Sequence, residues 1–557
     1  MKFPFLLLLS FLLSSAASAQ VPTPVKLLSA GDPVPGTGHN LAPLGFIAKY
    51  RVNNGGDWIA RLRLDDPSPA SDGVFLRNGQ VVFREGDPVA QPVGGVVNVV
   101  ASCDLADTGE AFYVMSTSGW PSPAVNRSVI YRDTQPILVV LDRIDAPGYS
   151  PAAYYQSILG VTVVEGPFVL VTCSLVDPAA SNQVVGALVR FKLDSAGNRL
   201  NETVLATVGM VLPGQTVPLD QFYTSDGSQS LNNTGDGTFN ARLAAAAGSQ
   251  DQVVFASGTL IAQSNTPSPI PGRNYGDTTA APSDSNEAGS WILRYDLDSS
   301  NPLDDEVIVV DGTVVAQKGG PAPVFGTTFA SFDQTSVHVD QGGNPYFGAV
   351  LNGAPAGFNR GIFRGNSVLM RAGATFVQGQ QLTEIYLNQS SLQVSNDGNF
   401  ILVRGELDGS GESLVLMERS IATHYCDAEP NSAGNVALLQ ASGSSKASFN
   451  TVSFRCLSLP SNQSGYLLAS MAQADIFMPP GSQGRLCLGA PTARFNSDVQ
   501  NTLGGSIMVF NPDLSNVPLT PAVSVQAGQT WNFQVWYRDI NPGQTSNFSL
   551  PVSIEFR

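Results

Sequence analysis

The stretch Asn53-Asn54-Gly55-Gly56-Asp57-Trp58-Ile59-Ala60 decides how the chain is read. An Asn/Asp pair followed by glycine supplies the left-handed backbone of a tight turn, and the aromatic then opens an alternating apolar strand. The pattern returns as Ala106-Asp107-Thr108-Gly109-Glu110-Ala111-Phe112 and Asn232-Asn233-Thr234-Gly235-Asp236-Gly237-Thr238-Phe239. It returns again at Asn286 to Trp291, Asp340 to Phe347 and Ser395 to Phe400, with Glu165-Gly166-Pro167-Phe168 a degenerate copy in place. The turn glycines 56, 109, 166, 235, 289, 343 and 398 recur at intervals of 53 to 69 residues.

Each unit carries a second hairpin. Gly73-Val74-Phe75-Leu76-Arg77-Asn78-Gly79-Gln80-Val81-Val82 pairs two strands across Asn-Gly, Arg360 to Leu369 repeats it, and Val253 to Ala262 and Val307 to Ala316 are weaker copies. A Gly-Asp-Pro or Pro-Gly element closes several units, as in Gly31-Asp32-Pro33, Gly86-Asp87-Pro88, Leu212-Pro213-Gly214 and Ile270-Pro271-Gly272. Two hairpins make four strands, and four-stranded units of about 50 residues are the blades of β-propellers. The expected fold is all-β, with a seven-bladed propeller over residues 25–424. Six or eight blades, or a string of small sandwiches, are the alternatives.

Composition agrees with strands and turns. Only 13% of residues are charged, and there are 33 Asp against 12 Glu and 6 Lys. Asp favours turns and caps, whereas Glu and Lys favour helices. A net charge of -16 argues against nucleic acid and anionic lipid surfaces as partners. Residues 1–19 read as a signal peptide: Met1-Lys2, the apolar run Phe3 to Leu13, then Ala17-Ser18-Ala19. Export to the periplasm, cell surface or medium is expected, with no membrane insertion after cleavage.

Beyond Ile421 the repeat stops. Residues 425–557 show short alternating strands with Gly, Pro and Asn turns, the pattern of an antiparallel β-sandwich. Trp531, Phe533 and Tyr537 share one face there and are candidate core. The five cysteines, Cys103, Cys173, Cys426, Cys456 and Cys487, form no C-x-x-C pair, which argues against zinc and redox motifs. Cys426 with Cys487 is a first guess at a disulfide among connectivities that spacing leaves open.

This tail resembles a C-terminal module of secreted proteins from planctomycete-like bacteria. The matching residues are Tyr425-Cys426, Asn431-Ser432-Ala433-Gly434, Gly484-Arg485-Leu486-Cys487-Leu488-Gly489 and Phe533-Gln534-Val535-Trp536-Tyr537-Arg538-Asp539. The repeats resemble propeller-like regions of uncharacterised exported proteins through Arg84-Glu85-Gly86-Asp87-Pro88. The resemblance implies an architecture and a compartment, and no reaction.

Catalytic motifs are scarce. His39, His338 and His424 are the only histidines and lack zinc-site spacing. No Gly-x-Ser-x-Gly elbow stands between strand and helix, and no phosphate-binding loop occurs. Asp296, Asp298 and Asn301 form an oxygen-rich loop that could hold Ca²⁺, although it lacks the EF-hand pattern and reads more simply as a solvated hairpin tip. No other cofactor is indicated. Trp58, Trp291, Phe112, Phe239 and Phe400 share a repeat register and are expected in blade cores; Trp120, Tyr154 and Tyr155 fall outside it and are surface candidates. No catalytic residue can be assigned. The preferred reading is an exported non-catalytic binding or surface-associated protein of unknown ligand, its partner an extracellular glycan or protein. The rival is an exported polysaccharide hydrolase or lyase with carboxylates in the propeller channel, and an envelope component is third. A channel lined by Val, Ala and Ser would exclude the enzyme; two or more carboxylates, or an Arg–carboxylate group, converging within about 10 Å would support it.

Overall fold

The computed structural model describes residues 24–556 apart from 43–48, 122–125, 164–167, 181, 224–228, 233, 245–250, 278–280, 300, 333–335, 389–390, 420, 443–446, 448–449, 451 and 503–504. Residues 1–19, expected to be a signal peptide, and the Gly166 turn lie outside the described residues. Two compact units result, one ending at Arg419 and the other running from Ile421 onward.

The first unit contains seven antiparallel sheets. Blade 1 is Lys49–Val52, Trp58–Arg63, Gly73–Arg77 and Gln80–Arg84. Blade 2 is Val97–Leu105, Ala111–Thr117, Arg127–Arg132 and Gln135–Val139. Blade 3 is Tyr154–Val163, Phe168–Val176, Val184–Leu193 and Arg199–Thr207, and blade 4 is Leu219–Phe222, Thr238–Leu243, Gln252–Ala256 and Thr259–Gln263. Blade 5 is Ser283–Ser285, Trp291–Asp296, Glu306–Val310 and Thr313–Gln317. In blade 6 the first strand comes in two pieces, Thr328–Ser331 and Val337–Val339, both paired with Pro345–Asn352; Arg360–Arg364 and Ser367–Arg371 follow. Blade 7 has Gln380–Ile385 and Leu392–Val394 on Phe400–Leu407, then Gly411–Glu418.

The fourth strand of blade 7 comes from the other end of the chain. Val25–Ser29 pairs with Gly411–Glu418, Val25 opposite Leu416 and Ser29 opposite Ser413, and the two serine hydroxyls lie 2.6 Å apart. The first described strand thus closes the ring onto the last blade. The fold is a seven-bladed propeller followed by a β-sandwich.

The repeated motif explains itself locally. Turn glycines 56, 109, 235, 289, 343 and 398 all have φ between +72° and +91°, where a side chain is strained. The Asn53 side-chain oxygen accepts from the Gly55 and Asp57 amides, and Asp340 does the same for Gly342 and Asn344. The nitrogen of the same side chain reaches the next blade: Asn53 Nδ2 donates to Ala106 O at 3.2 Å, and Asn286 Nδ2 to Asp340 O at 2.9 Å. One residue type therefore shapes a turn and ties two blades together.

The outer hairpins use left-handed turns as well, with Asn78 (φ +49°), Asp133 (+51°) and Asp311 (+47°) in front. The side-chain oxygens of these three accept from the first amide of the second strand, at Trp58, Ala111 and Trp291. Trp58, Phe112, Phe239 and Phe400 are buried in the blade cores, and Trp291 is half-buried against one. The surface reading of Tyr155 is corrected. It is fully buried with Ile158, Val171 and Val189, because two bulges in the strand Tyr154–Val163 bring Tyr155, Ile158, Val161 and Val163 to the core face. Tyr154 and Trp120 are half-buried, and Trp120 Nε1 donates to Thr117 Oγ1.

In the second unit, Thr530–Ile540 is central, pairing with Ser464–Ser470 on one side and with Val552–Glu555 and Gln544–Phe548 on the other. A second sheet is Leu438–Ser442, Ser453–Leu457 and Met508–Phe510. Phe454 meets Phe533 between the sheets at 4.6 Å, and Trp531, Phe533 and Tyr537 are fully buried. Thr423–His424 pairs with Val552–Ser553, so these two residues belong to the sandwich, earlier than the expected boundary at 425. Cys426 and Cys487 are joined, with S–S 2.03 Å. Gln534, fully buried, accepts from the Cys487 amide and donates to Arg485 O and Ser549 O, while Tyr425 Oη donates to Cys487 O. Asp539 accepts from the Ser432 amide. The tail motif residues are thus a buried polar network around the disulfide.

Candidate functional site

All seven blades line one polar cavity of about 90 Å³, the central channel, six of them through their first strands and blade 4 through residues 229–231 just before its second strand. In six blades the residue five places before the turn glycine lines the cavity, namely Arg51, Asp104, Ser230, Asp284, His338 and Gln393, and in blade 3 Thr162 takes that place one residue out of register. Strand alternation aims this position inward, while its neighbours Tyr50, Cys103, Val161 and Leu392 pack into blade cores.

An ion pair and a carboxylate–imidazole contact form between adjacent blades. Arg51 Nε lies 3.1 Å from Asp104 Oδ1, and His338 Nδ1 lies 3.3 Å from Asp284 Oδ2. The other ring nitrogen of His338 is 3.0 Å from Leu392 O on blade 7. Thr162, Ser230 and Gln393 separate the pairs with neutral polar groups, and Ser230 Oγ lies 2.8 Å from Ser285 Oγ of the next blade.

The channel carboxylates are engaged by the fold. Asp104 accepts from the Leu105 amide and, across the blade boundary, from Val163 N at 2.9 Å. Asp284 repeats the arrangement with Ser285 N and Val339 N, at 2.9 and 3.2 Å. Asp107, at the first-hairpin end, accepts from Asn54 N at 3.0 Å and Asn396 Nδ2 at 2.7 Å. The channel therefore holds three carboxylates, an arginine and a histidine, so it is not the Val/Ala/Ser channel that would exclude an enzyme, and Arg51 with Asp104 is an Arg–carboxylate group of the kind that would support one. Each acid nevertheless has both oxygens hydrogen-bonded and at least one of them bonded to another blade.

The sequence-derived calcium loop lies between the second and third strands of blade 5. There Asp296 pairs with Arg294 at 2.9 Å, Asp298 accepts from Asn274 N, and Asn301 accepts from Leu303 N. Each side chain faces its own local donor. Among the described residues, no group of three or more His, Cys, Asp or Glu is arranged to hold a metal ion. A second, open cleft of about 520 Å³ lies between the outer strands of blades 2 and 3. Its Arg199 is paired with Glu202 at 2.7 Å and Asp142 at 2.9 Å, so its charges are matched internally. Cys103, Cys173 and Cys456 are buried free thiols, and burial raises the pKa of Cys173 and Cys456.

Arg51, Asp104, Asp284 and His338 were not singled out by sequence reasoning. The available signal was register: a polar residue at one fixed place, inside strands whose other inward positions are apolar.

No protein-family model matches the chain, and no curated protein matches it. Solved structures similar to it include an α-L-arabinanase of Penicillium chrysogenum complexed with arabinobiose (11% identity, 72% of this chain and 98% of that one, TM-score 0.28). A Trypanosoma rangeli sialidase in complex with the inhibitor DANA is similar over 97% of both chains (10% identity, TM-score 0.29). The soluble aldose sugar dehydrogenase of Escherichia coli is similar over 58% of this chain and 99% of that one (11% identity, TM-score 0.20). Likeness this distant assigns no function, and the blade count stands on the strand pairing. Among the described residues, no helix is long and apolar enough to cross a membrane.

Proposed function

We propose that the protein is an exported, non-catalytic binding or cell-surface protein whose propeller channel receives part of an extracellular glycan. The single observation behind this reading is that Asp104, Asp107 and Asp284 each have both oxygens hydrogen-bonded within the fold, with at least one bond of each crossing to another blade. Most glycosidases use two carboxylates, one to give a proton and one to attack the sugar or activate water. Turning any of these three toward a substrate breaks a bond that the ring uses. What remains facing the channel is a mixed set of hydroxyl, amide and charged groups, suited to hydrogen-bonding a polar ligand. The tail, stapled by a disulfide, suits an oxidising compartment.

The test is to incubate the mature protein with a panel of glycans and peptides and to score retention and product release together. Glycan retention without new reducing ends is expected. Release of products, or retention of peptides alone, overturns the reading.

A further inference from the structure

The lining position five places before the turn glycine is also a joint between blades. Arg51 of blade 1 reaches Asp104 of blade 2, and Asp104 accepts from Val163 N of blade 3. Ser230 meets Ser285 of blade 5, Asp284 accepts from Val339 N of blade 6, and His338 lies against Leu392 O of blade 7. In these five blades the residue at that position therefore contacts the next blade around the ring. Gln393 holds the same place in blade 7 and differs from the rest. Among the described residues, its side-chain amide has no hydrogen-bond partner.

Strand geometry aims that amide into the channel. Gln393 is the middle residue of Leu392–Val394 and pairs opposite Leu402. Leu392 is fully buried in the core of blade 7 and Val394 packs against that core, so alternation turns Gln393 to the other face, where it lines the cavity. The residue is only 5% exposed, yet neither amide atom is sealed off from the cavity. A primary amide placed this deep without a protein partner does nothing for the fold. Water is its default partner, and a ligand that supplies both bonds displaces that water without loss.

We infer that Gln393 is the specificity-determining residue of the channel: its amide takes two adjacent hydroxyls of one sugar residue, donating through Nε2 to one and accepting through Oε1 from the other. The inference rests on the glycan-binding reading and names the feature of the glycan that is read. A primary amide presents a donor and an acceptor side by side. Neighbouring hydroxyls match both, whichever way round the amide lies, because each hydroxyl donates and accepts. A carboxylate matches the donor half alone and would bring its charge into a cavity that Asp104 and Asp284 already line. A trans peptide group points its N–H and C=O to opposite sides, so it fills one half at a time.

The experiment is titration calorimetry of the mature protein with cellohexaose, xylohexaose and the uncharged peptide N-acetyl-tetraglycine methylamide, repeated on Gln393→Met and Gln393→Glu, with melting curves for every sample. Methionine keeps the length of the side chain and removes both bonds; glutamate keeps the shape and loses the donor. At least one oligosaccharide is expected to bind the wild type more tightly than the peptide does, and each variant to weaken it about tenfold. The propeller transition of Gln393→Met is expected to stay level or rise, because no bond of the ring is lost. A clear fall in that transition makes the amide a tie between blades and overturns the inference. Should the charge of Gln393→Glu unfold the propeller, Gln393→Met carries the test alone. If the wild type binds an oligosaccharide and the folded variants bind it equally well, this inference fails while the channel reading survives. Tighter binding of the peptide overturns both. If the wild type binds neither oligosaccharide, the channel reading fails and this inference falls with it.

Discussion

The propeller and the sandwich solve the same problem, holding short polar-edged strands together, in opposite ways. The propeller spreads the task over many small copies of one device: a left-handed glycine, an Asx oxygen on local amides, and an Asx nitrogen on the next blade. The sandwich concentrates it in one disulfide and the network of Gln534, Tyr425 and Asp539. Distributed ties tolerate loss of any one and fail when the ring opens. Concentrated ties fail one at a time. Two compact units are expected to show two calorimetric transitions, which makes the comparison measurable.

The largest effect should come from opening the ring. Removing Val25–Ser29 takes away the fourth strand of blade 7 and the contacts of Val25, Leu27 and Leu28 with the adjoining core. From lost apolar burial and strand pairing, the propeller transition should fall by roughly 4–6 kcal/mol, with the sandwich transition unchanged. An unchanged propeller transition would show that closure contributes little. Next is Cys426→Ser with Cys487→Ser. The two are 61 residues apart in sequence, for which chain entropy gives about 4 kcal/mol, read in the sandwich alone.

Smaller effects separate the regions by mechanism. Gly289 has φ +85° with no atom within 4 Å of an added Cβ, so Gly289→Ala should cost about 1 kcal/mol of pure backbone strain. Gly398→Ala should cost more, because the new methyl would meet the Tyr346 hydroxyl and Asp340 closer than van der Waals contact allows. Equal costs at the two positions would break the argument that strain and packing add. In the sandwich, burial lowers the pKa of His424, against the opposing pull of its bond to Pro551 O. The unfolded chain therefore binds the proton more readily. The stability contributed by neutral His424 is full above the unfolded value of about 6.5 and declines as pH falls below it toward the folded value. Acidification from pH 7.5 to 5.5 should lower the sandwich transition, and His424→Gln should flatten that slope. A slope that survives the substitution assigns it to another group.

Much of this architecture was legible in the sequence because its chemistry is local. An Asx-x-x-Gly turn and an Asn-Gly hairpin need no distant partner to be recognised, and in-register aromatics mark blade cores, as Trp58 and Phe400 do. The channel was harder to see. Its strands are as short as Ser283–Ser285, and their inward residues are polar, which erases the apolar alternation that identifies a strand. Arg51, Asp104, Asp284 and His338 lie far apart in sequence and become neighbours only when the ring closes. Tyr155 was misread for a related reason: its strand is continuous where other first strands break, so the repeat register did not reach it. Nor could spacing show that Val25–Ser29 belongs to the last blade, since that pairing joins the two ends of the repeat.

The central claim is that the channel acids hold blades together and perform no chemistry. It is tested most directly by Asp104→Asn and Asp284→Asn, each assayed with the glycan panel for retention and new reducing ends while the propeller transition is followed. An asparagine nitrogen set against Val163 N–H or Val339 N–H loses the inter-blade bond, or must turn to recover it. Both variants should lower the propeller transition by about 1–3 kcal/mol, and no sample, wild type included, should release reducing ends. Reducing ends produced by the wild type and lost in Asp284→Asn, with the transition unmoved, would contradict it.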